Sequence, residues 1–213
     1  MRRSHFLLTG LSLLAAPFVH AQPSRPAAPA RHVVHGFRSA RFGMGLAQVR
    51  AAAESDFPDR IGGVEHVNNP AEQTTVLVVR LPRLEPGPGP ASVSYVLGAR
   101  SKRLMAVNVV WQSGAVPAPG ERNAFAAGGT ILANYFRGLN WGPMAGTPAV
   151  PAGPNGLVMF VGADAAGATV DVRVLGVEIV APGGKAGPEA KGPVQLRVGY
   201  HANPAAPDVV VTG

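Results

Sequence analysis

The chain has 213 residues and no cysteine, with 19 Lys and Arg against 12 Asp and Glu for a formal charge of +7. The missing cysteines exclude a disulfide scaffold, a lipobox lipid anchor and every cysteine-based zinc, iron–sulfur or thiol chemistry. The basic residues are spread thinly instead of gathering in runs, which argues against a nucleic-acid partner.

Arg2 and Arg3 open the chain, Phe6 to Val19 is mostly apolar, and Pro17 stands just ahead of Val19-His20-Ala21. This is the layout of a secretory signal peptide (residues 1–21), predicted to be cut after Ala21. The apolar run is shorter than the roughly 20 residues that span a bilayer, so no transmembrane span is expected. An exported chain of this size without disulfides fits a bacterial periplasm, and 16 arginines against 3 lysines fit a GC-rich genome. Without Arg2 and Arg3, 17 basic residues face 12 acidic ones, a net +5 and a modest bias. Residues 22–213 suffice for one domain or two small ones, expected to be soluble.

Residues 22–36 read as a Pro/Ala-rich linker, with order expected from about Phe37. After Gly43-Met44-Gly45, the spacing of Leu46, Val49, Ala53 and Phe57 predicts a helix that Pro58 stops. A surface turn is expected at Gly62-Gly63. Thr74 to Pro82 (TTVLVVRLP) predicts a strand buried on both faces, and Pro86 to Pro90 a rigid loop. Ser92 to Gly98 alternates Val93, Tyr95 and Leu97 against Ser94 and Val96. A basic turn, Ala99 to Arg103, leads to Leu104–Gln112, with Met105, Val107, Val109 and Trp111 on one face; the two runs predict a hairpin.

Glu121 to Leu139 predicts a second helix, with Phe125, Leu132, Phe136 and Leu139 on one side; Gly128-Gly129 either weakens it or marks a close packing point. Strands are predicted over 156–162 and 169–180, the latter alternating Val170, Val172 and Val174 with Asp171 and Arg173 and bulged at Leu175-Gly176. A last strand carries Val194, Leu196, Val198 and Tyr200, and residues 202–213 are expected to form a loose tail with a chance edge strand at Val209–Val211. The predicted fold class is α+β: two helix/three-strand antiparallel halves, 37–116 and 117–201, each laying a helix on a sheet face.

The stretch Phe42-Gly43-Met44-Gly45-Leu46-Ala47-Gln48-Val49-Arg50 resembles the helix opening of the BamE/SmpA-type envelope assembly lipoproteins, a glycine and a polar turn before a Gln-Val pair facing the core. Doubled in tandem, the order of elements resembles the beta-lactamase inhibitor protein fold. The resemblance implies a protein-binding envelope module. The chain departs from both groups in having neither their anchoring cysteine nor their disulfides, so no binding residue carries over.

No catalytic constellation stands out. G-x-S-x-G, S-x-x-K and Walker-type loops are absent, and the prolines of Gly87-Pro88-Gly89-Pro90 remove the N–H groups a phosphate needs. His32 and His35 in an extended segment point to opposite faces, against a metal site, and neighbouring Glu65 and His66 do not face each other. Asp164, Asp171 and Glu178 are expected as solvated edge residues. No cofactor or metal is expected. Two groups suggest a contact surface: the cationic hairpin tip of Arg100, Lys102 and Arg103, and the aromatics around the second helix's end. Of Tyr135, Phe136, Trp141 and Met144 there, Phe136 falls at the core period and most of the group is read as core; Trp141 is the member most open to exposure, and it joins Tyr135 in the candidate surface.

These observations favour a non-catalytic periplasmic interaction module that binds or inhibits another envelope protein. Anionic lipid or lipopolysaccharide is a further candidate contact for the cationic tip. The alternatives are a small-molecule or lipid pocket between the two halves, and a hydrolase using Asp171 or His201.

Overall fold

Alternation of apolar with small or polar residues along most of its strands builds one eight-stranded antiparallel sheet with a single greasy face. The computed structural model describes residues 30–141, 150–179 and 189–210. The proposed leader, most of the Pro/Ala segment and the centres of two Gly/Pro-rich loops lie outside the described residues.

A two-residue hairpin, β1 (Gly36–Phe37) and β2 (Ala40–Arg41), precedes α1 (Leu46–Asp56). The Gly45 N–H donates to Gln48 Oε1 at 3.0 Å, which closes the start of α1. Gln48 is therefore exposed, and of the Gln-Val pair only Val49 enters the core. Then come β3 (Ile61–Asn69), β4 (Thr74–Leu81), β5 (Ala91–Leu97) and β6 (Leu104–Gln112). The second helix, α2 (Glu121–Arg137), is followed by β7 (Val150–Pro151), β8 (Gly156–Ala163), β9 (Thr169–Leu175) and β10 (Gln195–His201). The strand order is β3-β4-β5-β6-β10-β9-β8-β7, so two meanders meet where β6 pairs β10.

Both helices lie on the same face. Val49 and Ala53 of α1 and Phe125, Ala133 and Phe136 of α2 close over Leu77, Val79, Val93, Tyr95, Val107, Val109, Val172, Val174, Leu196 and Val198. Gly128-Gly129 is a close packing point, the second of the two readings the sequence leaves open. A Cβ on Gly129 would stand 2.6 Å from Val174 Cγ2 and from Met159 Sδ. Phe160 fills the space below α2, stacked 5.6 Å from Phe136 and tilted 5.6 Å from Trp141.

Several expectations change. The first meander has four strands, because the Gly62-Gly63 segment belongs to β3, not to a surface turn. Only Val64 of β3 is buried; Ile61 and Glu65–Asn69 pair with β4, and Gly62 and Gly63 lie in the irregularity between them. β4 is buried on one face alone: Leu77, Val79 and Leu81 are in the core, whereas Val76 and Val78 are half-buried on the uncovered face. A register shift at Val96/Leu97 puts Leu104, not Met105, in the core beside Leu97. β9 ends at Leu175, where Gly176 turns the chain with φ +72. Residues 30–36 pack onto the body, with the Val34 N–H donating to Asp164 Oδ2 at 2.9 Å. The tail is tied down through Ala99 N–H to Asp208 O at 2.8 Å and Val210 N–H to Glu72 O at 3.1 Å; Val209 and Val210 are not in a strand, and Val211 lies outside the described residues.

Candidate functional site

The cationic tip forms as the sequence predicts. Arg100, Lys102 and Arg103 are exposed on the β5–β6 connection, where Lys102 takes a left-handed φ of +53. The tip is held by its backbone. The Asp208 carboxylate accepts the N–H groups of Ser101 at 2.8 Å and Arg100 at 3.1 Å; hydrogen bonding to the Ser101 side chain first, then to its backbone N–H, holds the Asp208 pKa below the usual Asp range. The turn is also tied to the start of α1 through a bridge between Gly45 and Arg103.

The aromatic group divides. Tyr135 is 60% exposed on α2, in edge contact with Phe136. Trp141, the member of the group the sequence leaves most open to exposure, is 3% exposed, and Met144 lies outside the described residues. Its indole N–H donates to Phe136 O at 2.6 Å, and its ring packs on Phe160 and takes His32 edge-on at 4.5 Å. Trp141 is a core residue and drops out of the contact surface. Burial beside it holds His32 below the ordinary His range despite the nearby Asp164 charge.

Asp164 and Asp171, expected as solvated edge residues, are both buried. Asp164 caps the β8–β9 turn, accepting the N–H groups of Ala166 and Ala168 at 2.8 and 3.0 Å. Asp171 lies at the centre of the uncovered sheet face. Cross-strand register sets Asn108, Gly199 and Asp171 side by side on β6, β10 and β9. Val110, Arg197 and Arg173 form the next row, and Ala106, His201 and Thr169 the row on the other side.

Glycine at 199 makes this arrangement possible. A Cβ there would stand 2.6 Å from Asp171 Oδ1 and 2.7 Å from His201 Nε2, so the bare backbone leaves a trough in which the two side chains meet. Asp171 Oδ1 lies 3.4 Å from His201 Nε2, and Asp171 Oδ2 accepts from Arg173 Nε at 2.7 Å. Burial raises the Asp171 pKa, but the hydrogen bonds from His201 and Arg173 and the nearby guanidinium charges outweigh it, so the net shift is downward. On the other side of the trough, Arg197 Nη2 donates to Asn108 Oδ1 at 2.7 Å.

A cavity of about 430 Å³ adjoins the cluster where β6 meets β10. Val96, Ala106, Asn108 and His201 line it from the sheet, and Pro204 and Pro207 of the tail close one side. Among the described residues no hydroxyl hydrogen-bonds to His201, although Thr169 is its cross-strand neighbour on β9. Nor do three His, Asp or Glu side chains converge in metal-binding geometry there. No helix among the described residues is long and apolar enough to cross a membrane.

The sequence placed Asp171 and Arg173 opposite the valines of their strand and singled out Asp171 and His201. It did not bring Arg197 and Asn108 to them. The signal that could have done so is the glycine at 199, an interruption between the core residues Val198 and Tyr200. No protein-family model, curated protein or solved structure matches the chain.

Proposed function

We propose that the protein is an exported, non-catalytic interaction module of the periplasm that binds or inhibits another envelope protein through the uncovered face of its sheet. One observation carries the reading. The centre of that face holds a preordered polar cluster, Asp171, Arg173, His201, Asn108 and Arg197, in which a carboxylate is buried although no helix covers it. A solvated sheet face needs polar residues but no buried charge, since burial of a charge has to be offset by partners. Charge ordered in advance gives a docking surface its specificity at little entropic cost.

The signal-peptide pattern at Arg2 to Ala21 supports export. The two meanders, each preceded by a helix and joined at β6–β10, are read as tandem halves, in keeping with the resemblance to envelope-binding folds. The cationic tip, on the β5–β6 connection, is read as a secondary contact; Tyr135, exposed on α2 over the covered face, is read as a separate one.

The test places a photocrosslinking residue at Val110 on the uncovered face or at Thr130 on exposed α2, in the tagged protein expressed in its own periplasm. A reproducible adduct with one envelope protein from Val110 and none from Thr130 supports the reading. Equal labelling from both sites, or none above background, overturns it.

The cavity favours a second reading, a small-molecule site at the β6–β10 junction. Its volume is within the range of ordinary ligand pockets. Native mass spectrometry of protein purified from its own compartment would show an added mass that Ala106→Trp removes; an unliganded mass in both samples counts against it.

A further inference from the structure

We infer that the centre of the uncovered face is a carboxylate-binding subsite, at which Arg197 and Arg173 receive an Asp or Glu side chain of the protein partner. This deepens the docking reading and rests on it.

The first argument is a count of charges. The cluster contains two guanidiniums and an imidazole but one carboxylate, and that carboxylate is spent: Asp171 accepts from Arg173 at 2.7 Å and faces His201 at 3.4 Å. Arg197 is left with the neutral amide oxygen of Asn108. It forms no ion pair among the described residues, and its Nε is buried without an acceptor. A guanidinium carries five donors, and a half-buried one bonded only to an amide is under-satisfied.

The second argument is register, and it is independent of the first. Arg197 and Arg173 are direct cross-strand neighbours on β10 and β9. Opposed side chains on paired strands stand about 5 Å apart at Cβ, and like charges in that position repel. Asp171 hydrogen-bonds Arg173 and reaches Arg197 only as a nearby charge. An anion above the pair satisfies both.

Other carboxylates on or beside this face do not answer the demand. Glu65 is closed on Arg80 at β3–β4, and β4 is three strands from β10, about 14 Å at ordinary strand spacing and beyond the roughly 8 Å screening length of physiological salt. Asp208 is taken by the β5–β6 turn, and Glu72 accepts from the Asn69 amide at 3.2 Å. Beyond Arg173, β8 presents Val158 and Val161 to this face. The planar fork of arginine suits a carboxylate, and Val110 and Val158 flank the pair with apolar surface for the methylene stem of an acidic side chain.

The experiment follows the Arg Nε–H and side-chain amide resonances of the full chain by ¹H–¹⁵N NMR during titration with glutarate and, separately, with inorganic phosphate at matched ionic strength. The expected result is a saturable shift of Arg197 Nε–H and Asn108 Nδ2–H with glutarate. Half-saturation should move to about tenfold higher concentration in both Arg197→Gln and Arg173→Gln, and stay unchanged in Arg100→Ser. Asn108 still reports if Arg197→Gln alters the fold, because Arg173→Gln is a separate variant. An Arg197 signal that moves no further than that of exposed Arg83, or that saturates at lower phosphate than glutarate, overturns the assignment. Saturable glutarate binding without a crosslinked protein upholds the subsite and sinks the protein-docking reading; crosslinking untouched by Arg197→Gln does the reverse.

Discussion

The two faces of β10 are buried by different physical means. Leu196, Val198 and Tyr200 point under α2 and into the common core, where helices exclude water. Gln195, Arg197, Gly199 and His201 point the other way, where no helix packs. On the covered face, apolar area removed from water explains every residue, and any side chain that fills the same volume serves. On the uncovered face, Gly199 is buried because two polar side chains lie across it, and Asp171 beside it is buried among charges. Burial there comes from polar groups covering one another, and it is specific to these residues.

The comparison is broken most severely from the covered side. Phe160 has no exposure and supports both Phe136 and Trp141. Phe160→Ala should cost about 3–5 kcal/mol in urea unfolding, the transfer term plus a cavity that the facing aromatics cannot fill. The Asp171 and His201 signals of the folded fraction should be unchanged. A loss under 1 kcal/mol would mean that α2 is not packed as described.

The uncovered face has its own sensitive point. Gly199→Ala should destabilise by about 1–2 kcal/mol, because the new Cβ meets Asp171 Oδ1 and His201 Nε2 well inside contact distance. Alanine is otherwise the better strand residue by flexibility alone, so a trough that is open in solution predicts the opposite sign. Urea midpoints of the two proteins decide between them.

The covered face was legible in the sequence and the uncovered one was not. The Val/Leu alternation in β5, β9 and β10 and the 3.6-residue spacing in both helices follow from burial on one side, which a single sequence reports directly. β3 escaped because an edge strand with one core residue, Val64, has almost no hydrophobic pattern; its glycines read as a turn, and Gly62, at φ +71, does sit in an irregularity of the strand between the paired residues Ile61 and Glu65. Trp141 was misplaced because Asn140 and Gly142 beside it suggest a surface, whereas its burial depends on Phe160, nineteen positions away. Asp164 was misjudged because three backbone donors, at Val34, Ala166 and Ala168, offset its burial, and no local pattern announces them. The polar cluster needs the register of β6, β10 and β9, which side-chain chemistry alone does not encode.

Acid should sharpen the contrast. The Asp171 pKa is lowered in the folded protein, so the unfolded chain takes up that proton first as pH falls. The stabilisation from the carboxylate is therefore complete above the ordinary Asp value near 4 and is lost below it, as pH drops through the folded value. Asp171→Asn should be about 1 kcal/mol less stable than the parent at pH 6, and the two curves should converge below about pH 4. Core variants such as Phe160→Ala should keep a constant deficit over the same range. A deficit for Asp171→Asn that persists undiminished to pH 2 would show that the carboxyl has no preferred charge state in the fold.

The smallest effect on stability is expected at the cationic tip, and it tests whether that turn belongs to the fold or to a partner. Arg100, Lys102 and Arg103 are exposed, and the turn is held by backbone N–H groups donating to Asp208, which the side chains do not supply. Replacing all three with Ser should change the unfolding free energy by no more than about 0.5 kcal/mol. Asp208→Ala, which strips the turn of its acceptor, should cost more than the triple change although it removes a single charge. If the triple variant were instead the weaker protein, the tip would be part of the fold's own electrostatics. If it matches the parent in urea and loses the Val110 crosslink, the charges face a partner, and the backbone beneath them shapes the turn without their help.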